Sequence, residues 1–164
     1  FYVKTTFVDS QYARARGTAL YHLARREHSA YELIRKLSRK FGPAISSSIV
    51  EELSEGGELS DRRFAETLVR SRFNRGFGPV YIAKELRSKG IKPQLVKECI
   101  GAFDGEWQAR AKEVLEKKRG QQISIFDREP GDLENAEGAK AVNEKLARFL
   151  LGRGYPSEIV FRLL

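Results

Sequence analysis

Ala30-Tyr-Glu-Leu-Ile-Arg-Lys-Leu-Ser-Arg-Lys40 is written again as Pro79-Val-Tyr-Ile-Ala-Lys-Glu-Leu-Arg-Ser-Lys-Gly90, and once more in shortened form as Lys145-Leu-Ala-Arg-Phe-Leu-Leu-Gly-Arg-Gly154. With Leu37, Leu86 and Leu150 as anchors, apolar side chains recur at the same offsets, as Leu33/Ile82/Leu146 and Ile34/Ala83/Ala147. Two basic positions recur with them, Arg35/Lys84/Arg148 and Lys40/Lys89/Arg153. A repeated apolar stripe at helical spacing predicts an array of similar helical units that share a core. A repeated cation off that stripe predicts an array that presents positive charge at intervals.

Working outward, each copy sits in the middle of a three-helix pattern. Ala19, Leu20, Leu23 and Ala24 precede the first, and Ser29 with Glu32 forms a Ser-x-x-Glu capping box. Gly42-Pro43 ends that helix, and a third follows with Ile45, Ile49, Val50 and Leu53, stopped by Gly56-Gly57. The second unit opens at Ser60-Asp61, carries Phe64, Ala65, Leu68, Val69 and Phe73, and turns at Arg75-Gly-Phe-Gly78 before Pro79. Pro93 opens its last helix, with Leu95, Val96, Cys99 and Ile100. The third unit starts near Glu106-Trp107, is interrupted from Gly120 to Gly138, and resumes over 139–152 and 156–164. Ile123-Ser-Ile-Phe126 is too short and too polar on its flanks for a strand.

The fold expected is therefore all-α, with three tandem three-helix repeats forming an elongated, curved right-handed-helix array. Residues 1–11 are an N-terminal segment with no assigned role. Residues 12–57 form the first repeat, 58–104 the second, and 105–164 the third, with a loop insertion near 120–138.

Composition bounds the function. The 164 residues carry 30 Lys and Arg against 22 Asp and Glu, a net charge of +8. Nine cations face three carboxylates in residues 1–50, whereas eleven face eleven in residues 101–164. A basic front suits an anionic polymer or an acidic protein surface. The single cysteine, Cys99, excludes an internal disulfide and falls in an apolar pattern. No stretch reads as a membrane span or a signal peptide, so a cytoplasmic protein is expected.

Catalytic and cofactor chemistry finds no constellation. Gly76-Phe-Gly78-Pro79 lacks the preceding strand and the spacing of a phosphate loop, and reads as a helix–helix turn. His22 and His28 have no cysteine nearby to complete a zinc site. The acidic residues of 127–137 lack the Gly and Asp positions of an EF-hand. The expectation is a protein that is not an enzyme and needs no metal or cofactor. Arg72 falls inside the apolar stripe of its own helix and requires a partner, for which Glu85 is the candidate.

On the helix from Ala30, at about 100° per residue, Arg35 and Arg39 lie opposite the apolar stripe with Tyr31 beside them. Lys84 occupies the same place on the helix from Pro79, flanked by Tyr81 and Arg87. A single such helix is an ordinary solvated face; recurrence is what points to binding. Lys40, Lys89 and Arg153 sit in last turns, where cations are favoured by exposed carbonyls in any case.

Arg25-Arg-Glu-His-Ser-Ala-Tyr-Glu-Leu-Ile-Arg-Lys-Leu37 resembles the opening motif of the RecX regulatory proteins. So do Leu59-Ser-Asp-Arg-Arg-Phe-Ala65, Arg72-Phe-Asn-Arg-Gly-Phe-Gly-Pro79 and Ile82-Ala-Lys-Glu-Leu-Arg-Ser-Lys-Gly-Ile91. The resemblance extends over about residues 15–164. Ser60 stands where the family carries an acid and keeps its capping role. It implies three tandem three-helix repeats and a protein that binds the RecA–DNA filament, in its groove or at its growing end. Filament extension, ATP hydrolysis, strand exchange and co-protease activity would be inhibited, within DNA repair and the SOS response. Several weak basic contacts would add up on a filament that repeats its own surface.

The candidate partner- or DNA-binding residues are Arg25, Arg26, Arg35, Arg39, Arg70, Arg75, Lys84 and Arg87, led by Arg35 and Lys84. Partners expected are the RecA filament and single- or double-stranded DNA, with no membrane, for a chain expected to be a monomer. Two other readings stand beside it: a basic protein that binds nucleic acid alone, and a helical scaffold for some other protein.

Overall fold

The computed structural model describes the backbone of residues 2–125 and 136–164, with side chains over 10–120 and 140–164. Among the described residues the elements are all helical: α1 (Tyr2–Arg25), α2 (Ala30–Phe41), α3 (Pro43–Glu55), α4 (Asp61–Asn74), α5 (Pro79–Ser88), α6 (Pro93–Gly101), α7 (Trp107–Ile125), α8 (Ala136–Gly152) and α9 (Ser157–Leu163). No helix among them is long and apolar enough to cross a membrane. The chain divides into two compact units, one reaching to Leu68 and adding Leu86–Val96, the other made of Val69–Glu85 and Lys97–Leu164. Residues of the second repeat thus belong to both.

The first unit is built on α1, α2 and α3. Ser29 caps α2 from an extended conformation, its Oγ accepting from the Glu32 N–H at 3.1 Å. Gly42, at φ 78°, ends α2, and Pro43 starts α3 where its missing N–H costs nothing. Ala15 and Ala19 from α1, Leu33, Leu37 and Phe41 from α2, and Ile49, Val50 and Leu53 from α3 form the buried cluster, closed by Leu59. Each fully buried leucine contributes about 1.5–3 kcal/mol of transfer free energy. Leu20 and Leu23 pack against this cluster, but Ala24 is exposed. Five residues beyond Ala19, it has rotated off the stripe, whereas Leu23, four beyond, has not.

In the second unit Trp107, Ala111 and Leu115 from α7, Leu146 and Leu150 from α8, Val160 from α9 and Tyr155 are buried. Phe73, Phe103 and Trp107 meet there, with ring centroids 4.8, 5.2 and 5.9 Å apart. Arg72 lies in this unit and is held as the stripe requires, by two bonds of 2.7 and 2.6 Å to the Glu85 carboxylate. This partner holds the guanidinium pKa above its ordinary value. All three repeat anchors, Leu37, Leu86 and Leu150, are 0–1% exposed.

Two boundaries differ from the sequence expectation. Helix α1 begins at Tyr2 and passes through the limit drawn at residue 11. Helix α7 continues to Ile125 and α8 starts at Ala136, so 120–125 and 136–138 are helical rather than loop. Gly120 lowers helix propensity without ending a helix that good formers precede. The rest of the expected insertion, 126–135, lies outside the described residues.

Each unit contains one junction between the second helices of successive repeats, and the two are built alike. After α5, Gly90 at φ 78° closes a Schellman turn, with Gly90 N–H bonded to the Arg87 carbonyl (3.0 Å) and Ile91 N–H to Leu86 (3.1 Å). After α8, Gly154 at φ 85° repeats it, with bonds to Leu151 (2.9 Å) and from Tyr155 to Leu150 (3.1 Å). The carbonyl before each glycine then accepts from the start of the preceding repeat's second helix. Ser29 Oγ donates to the Lys89 carbonyl at 2.7 Å, and Gly78 N–H donates to the Arg153 carbonyl at 2.8 Å. The Gly154 carbonyl accepts from Val80 N–H (3.0 Å), and the Ala30 N–H finds the Asp61 carboxylate (2.8 Å). Orphan amides of one helix start are thereby satisfied.

A Cβ on Gly90 would stand 2.6 Å from the Tyr31 Cβ, and one on Gly154 would overlap the Tyr81 backbone. The Gly90→Ala variant combines that overlap with a positive φ, so it is expected to lose about 1–3 kcal/mol in urea unfolding. Gly105→Ala, whose Cβ would meet nothing within 4 Å, is the comparison and should unfold at the parent midpoint.

His28 sits at the turn between α1 and α2 and is 2% exposed, with Nδ1 3.0 Å from the Arg26 carbonyl. Burial pushes its pKa below the ordinary 6.5, more than the carbonyl contact pulls it back, and His22 is lowered by burial and by Lys36, Arg25 and Arg26. The folded chain therefore takes these protons less readily than the unfolded one. Their contribution to stability is complete above about pH 6.5 and is lost as the pH falls from there toward the lowered values. The thermal midpoint is expected to drop between pH 7.5 and 5.5, and His28→Gln to drop less over that interval. Equal drops for both proteins would remove His28 as a cause.

Candidate partner-binding surfaces

Outside the core stripe of α2, Arg35, Lys36, Arg39 and Lys40 are all exposed. The arrangement follows from the register: Leu33 and Leu37 face the core, Arg35 and Arg39 fall on the other side, and Lys36 and Lys40 lie along the edge of the stripe. Arg35 lies over the ring of Tyr31, 5.6 Å from its centroid, and Tyr31 is itself 47% exposed. One helix back, Arg25 lies 5.6 Å over Tyr21 and donates to its hydroxyl at 2.7 Å. Such exposed cation–π contacts are worth about 0.5–1 kcal/mol. They steady a guanidinium plane while leaving its charge open. Arg39 and Arg87 are exposed and make no ion pair with a described residue. Arg26 is different, because its Nη1 reaches Glu32 at 3.1 Å and the Glu27 carbonyl at 2.8 Å. That charge is engaged at the start of α2.

In the second unit Arg70 on α4, Arg75 at the following turn and Lys84 on α5 are exposed. Arg70 and Lys84 make no ion pair with a described residue, and Arg75 lies 5.9 Å over Phe77. All eight candidate cations thus reach solvent. The first unit gathers Arg35 and Arg39 on one helix face, and Arg25, Arg26 and Arg87 sit at other places in that unit. In the second unit Arg75 stands in a cleft with Arg153, which the sequence reading placed among the last-turn cations, and with Lys117 and Lys118, which it did not single out. The run Lys117-Lys118-Arg119 was the visible signal for that grouping.

The two recurring basic positions separate by role. Arg35, Lys84 and Arg148 are exposed in all three copies. At the other position only Lys40 is exposed. Lys89 Nζ pairs with Glu32 Oε1 at 2.7 Å, and Arg153 Nη1 bonds the Arg75 and Gly76 carbonyls at 2.9 and 3.3 Å. Both cations engage a group of the preceding repeat rather than the end of their own helix. Burial would raise the Glu32 carboxyl, yet the bonds from Lys89 and Arg26 outweigh it and hold the pKa below its ordinary value. Among the described residues no cluster of three or more His, Cys, Asp or Glu side chains could hold a metal ion.

Two family models match the chain, the first three-helix domain of RecX over residues 15–53 and the second over 60–100. "Regulatory protein RecX" of Halorhodospira halophila is 38% identical over 146 residues, 88% of this chain and 83% of that protein. The protein of the same name from Stenotrophomonas maltophilia strain R551-3 is 34% identical over 88% of this chain and 81% of its own length. The crystal structure of RecX from Lactobacillus salivarius superposes with a TM-score of 0.77 at 20% identity, covering 94% of this chain and 95% of that one. That likeness shows a common all-α helical-repeat fold.

The exposed and the engaged lysine of α5 and its end give a direct comparison. Lys89→Ala is expected to lower stability by about 0.5–1.5 kcal/mol, because it strips the half-buried Glu32 of one partner. Lys84→Ala should stay within about 0.5 kcal/mol of the parent. Chemical unfolding of the two single variants decides it, and an undisturbed Lys89→Ala would mean that the pair adds nothing to the junction.

Proposed function

Because the chain belongs to the RecX family of regulatory proteins, we propose that it binds the RecA–DNA filament and restrains recombinase activity: filament extension, ATP hydrolysis, strand exchange and co-protease action. The observation that carries this reading is the exposed cation at the same repeat position three times, Arg35, Lys84 and Arg148, each on the outer side of a helix whose inner side is core. A filament offers its own surface at regular intervals, and a protein with the same basic group on successive repeats engages it several times over. Weak contacts then multiply in effect through local concentration.

Arg35 and Lys84 are the principal contacts, with Arg25, Arg39, Arg70, Arg75 and Arg87 supporting them. Arg26 contributes chiefly by holding α2 in place through Glu32. The protein acts by occupancy and carries out no catalysis of its own. A second reading, direct binding of nucleic acid, has one observation in its favour: Arg25 on Tyr21 and Arg35 on Tyr31 place exposed cations against exposed rings in the first unit. Salt separates the two, since phosphate contacts weaken steeply as rising salt diminishes the entropy gained by counterion release.

RecA turnover of ATP on single-stranded DNA, with this protein titrated well below one copy per RecA, is the test. Inhibition is expected at those substoichiometric amounts, and Arg35→Glu with Lys84→Glu should weaken it about tenfold or more while helicity by circular dichroism is unchanged. Full inhibition by the double variant would remove this surface; no inhibition by the parent would remove the recombinase reading itself.

A further inference from the structure

Between the turn after α4, the outer side of α7 and the end of α8, the second unit holds a cleft of about 680 Å³. Arg75, Lys117, Lys118 and Arg153 line it together with Phe77 and Phe149. The one carboxylate among the described lining residues, Glu113, is already taken by Arg110, at 2.6 Å from Nη1. Arg110 is engaged through all three of its nitrogens, because its Nε also bonds the Phe73 carbonyl at 3.0 Å and its Nη2 bonds that of Asn74. Four cations of the lining are left with no carboxylate among the lining residues.

Three of these charges rest on neighbouring groups. Arg153 is fixed by its Nη1 bonds to two carbonyls and lies over both rings, 5.3 Å from Phe77 and 5.0 Å from Phe149. Lys118 lies 5.5 Å over Phe149, and Arg75 lies 5.9 Å over Phe77. Phe77 also stacks on Tyr81 at 4.5 Å. Tyr81 and the cations engage the Phe77 ring, and two cations lie over Phe149, so both rings already serve the cations of the cleft. Recognition in this cleft falls chiefly to charge and N–H donors.

We propose that the cleft is a phosphate-binding site that takes phosphate groups without reading a base. Four cations converging from three chain segments repel one another until an anion enters. An anion with three or more acceptor oxygens spread in space meets several of these converging donors at once. A carboxylate offers two oxygens in one plane, whereas a phosphate offers more oxygens arranged tetrahedrally and more negative charge. Fixing Arg153 beforehand lowers the ordering cost of binding. The phosphate comes from a free polyphosphate or from a nucleic-acid backbone, and the site stands whether or not the chain binds a recombinase.

The full-length chain is titrated with tripolyphosphate by calorimetry at low salt, and a fluorescent oligo-dT is followed in parallel. Tripolyphosphate should bind, and Lys117→Gln with Lys118→Gln should weaken it about tenfold or more. Lys97→Gln, an exposed lysine on α6 outside the cleft, should bind like the parent. Displacement of oligo-dT by tripolyphosphate, with loss of both in the double variant, assigns the ligand to a nucleic-acid backbone. Tripolyphosphate binding that leaves oligo-dT in place assigns it to a free polyphosphate. Equal binding of tripolyphosphate by parent and double variant, with matching thermal midpoints, overturns the site. Oligoglutamate binding as tightly as tripolyphosphate overturns its phosphate character.

Discussion

The carbonyl that precedes a left-handed glycine at the end of α5, and again at the end of α8, is the point on which this architecture turns. In one unit the Lys89 carbonyl receives Ser29, and in the other the Arg153 carbonyl receives Gly78. Both bonds require the helix end to stop at that residue, and the Schellman turn makes it stop there. Both require the neighbouring chain to come close, and glycine, without a Cβ, leaves room for Tyr31 and Tyr81. A helix end that would otherwise leave bare carbonyls becomes the acceptor for a helix start, from the capping Ser29 hydroxyl in one unit and from the bare Gly78 and Val80 amides in the other. That reciprocity is why the same short block can be used repeatedly without a dedicated linker.

The junctions also sort the cations. A basic residue directly before such a glycine is drawn into the joint, whether by a carboxylate, as for Lys89 and Glu32, or by carbonyls, as for Arg153. The basic residue two before the anchor leucine points the other way in every copy and keeps its charge in solvent. Conservation of charge along the repeat thus has two physical origins. Only the second kind is free for a partner, and it is the kind carried by Arg35 and Lys84.

Much of the fold was legible in the order of residues. The starts at Ser29, Asp61, Pro79 and Pro93, the stops at Gly42, Gly56 and Gly90, and the inward leucines all lie where capping and periodicity put them. The Arg72–Glu85 pair was legible too, because a guanidinium inside an apolar stripe demands an acceptor one turn away on the adjacent helix. Ala24 and the 120–125 segment were misjudged for local reasons: one residue of rotation in the first case, and in the second a glycine whose cost the surrounding helix absorbs. The outward placement of Arg35, Arg39, Lys84 and Arg87 was legible from helical angle, but the engagement of Arg26 with Glu32 and the gathering of Arg75 with Lys117, Lys118 and Arg153 were not. Those depend on which helices become neighbours.

By itself, then, the sequence determined the class of the protein: helical, built in repeats, basic toward its front, with a stripe of core and an opposing row of cations in each copy. Periodicity and capping are local, and they act over a few residues at a time. Tertiary structure decided which of the repeated cations are spent on holding repeats together and which remain open, and it created a cleft from residues 75, 117, 118 and 153 that no window along the chain contains. Contacts across such separations are selected by packing and by the pairing of buried donors and acceptors, and neither leaves a spacing in the sequence that could be read in advance.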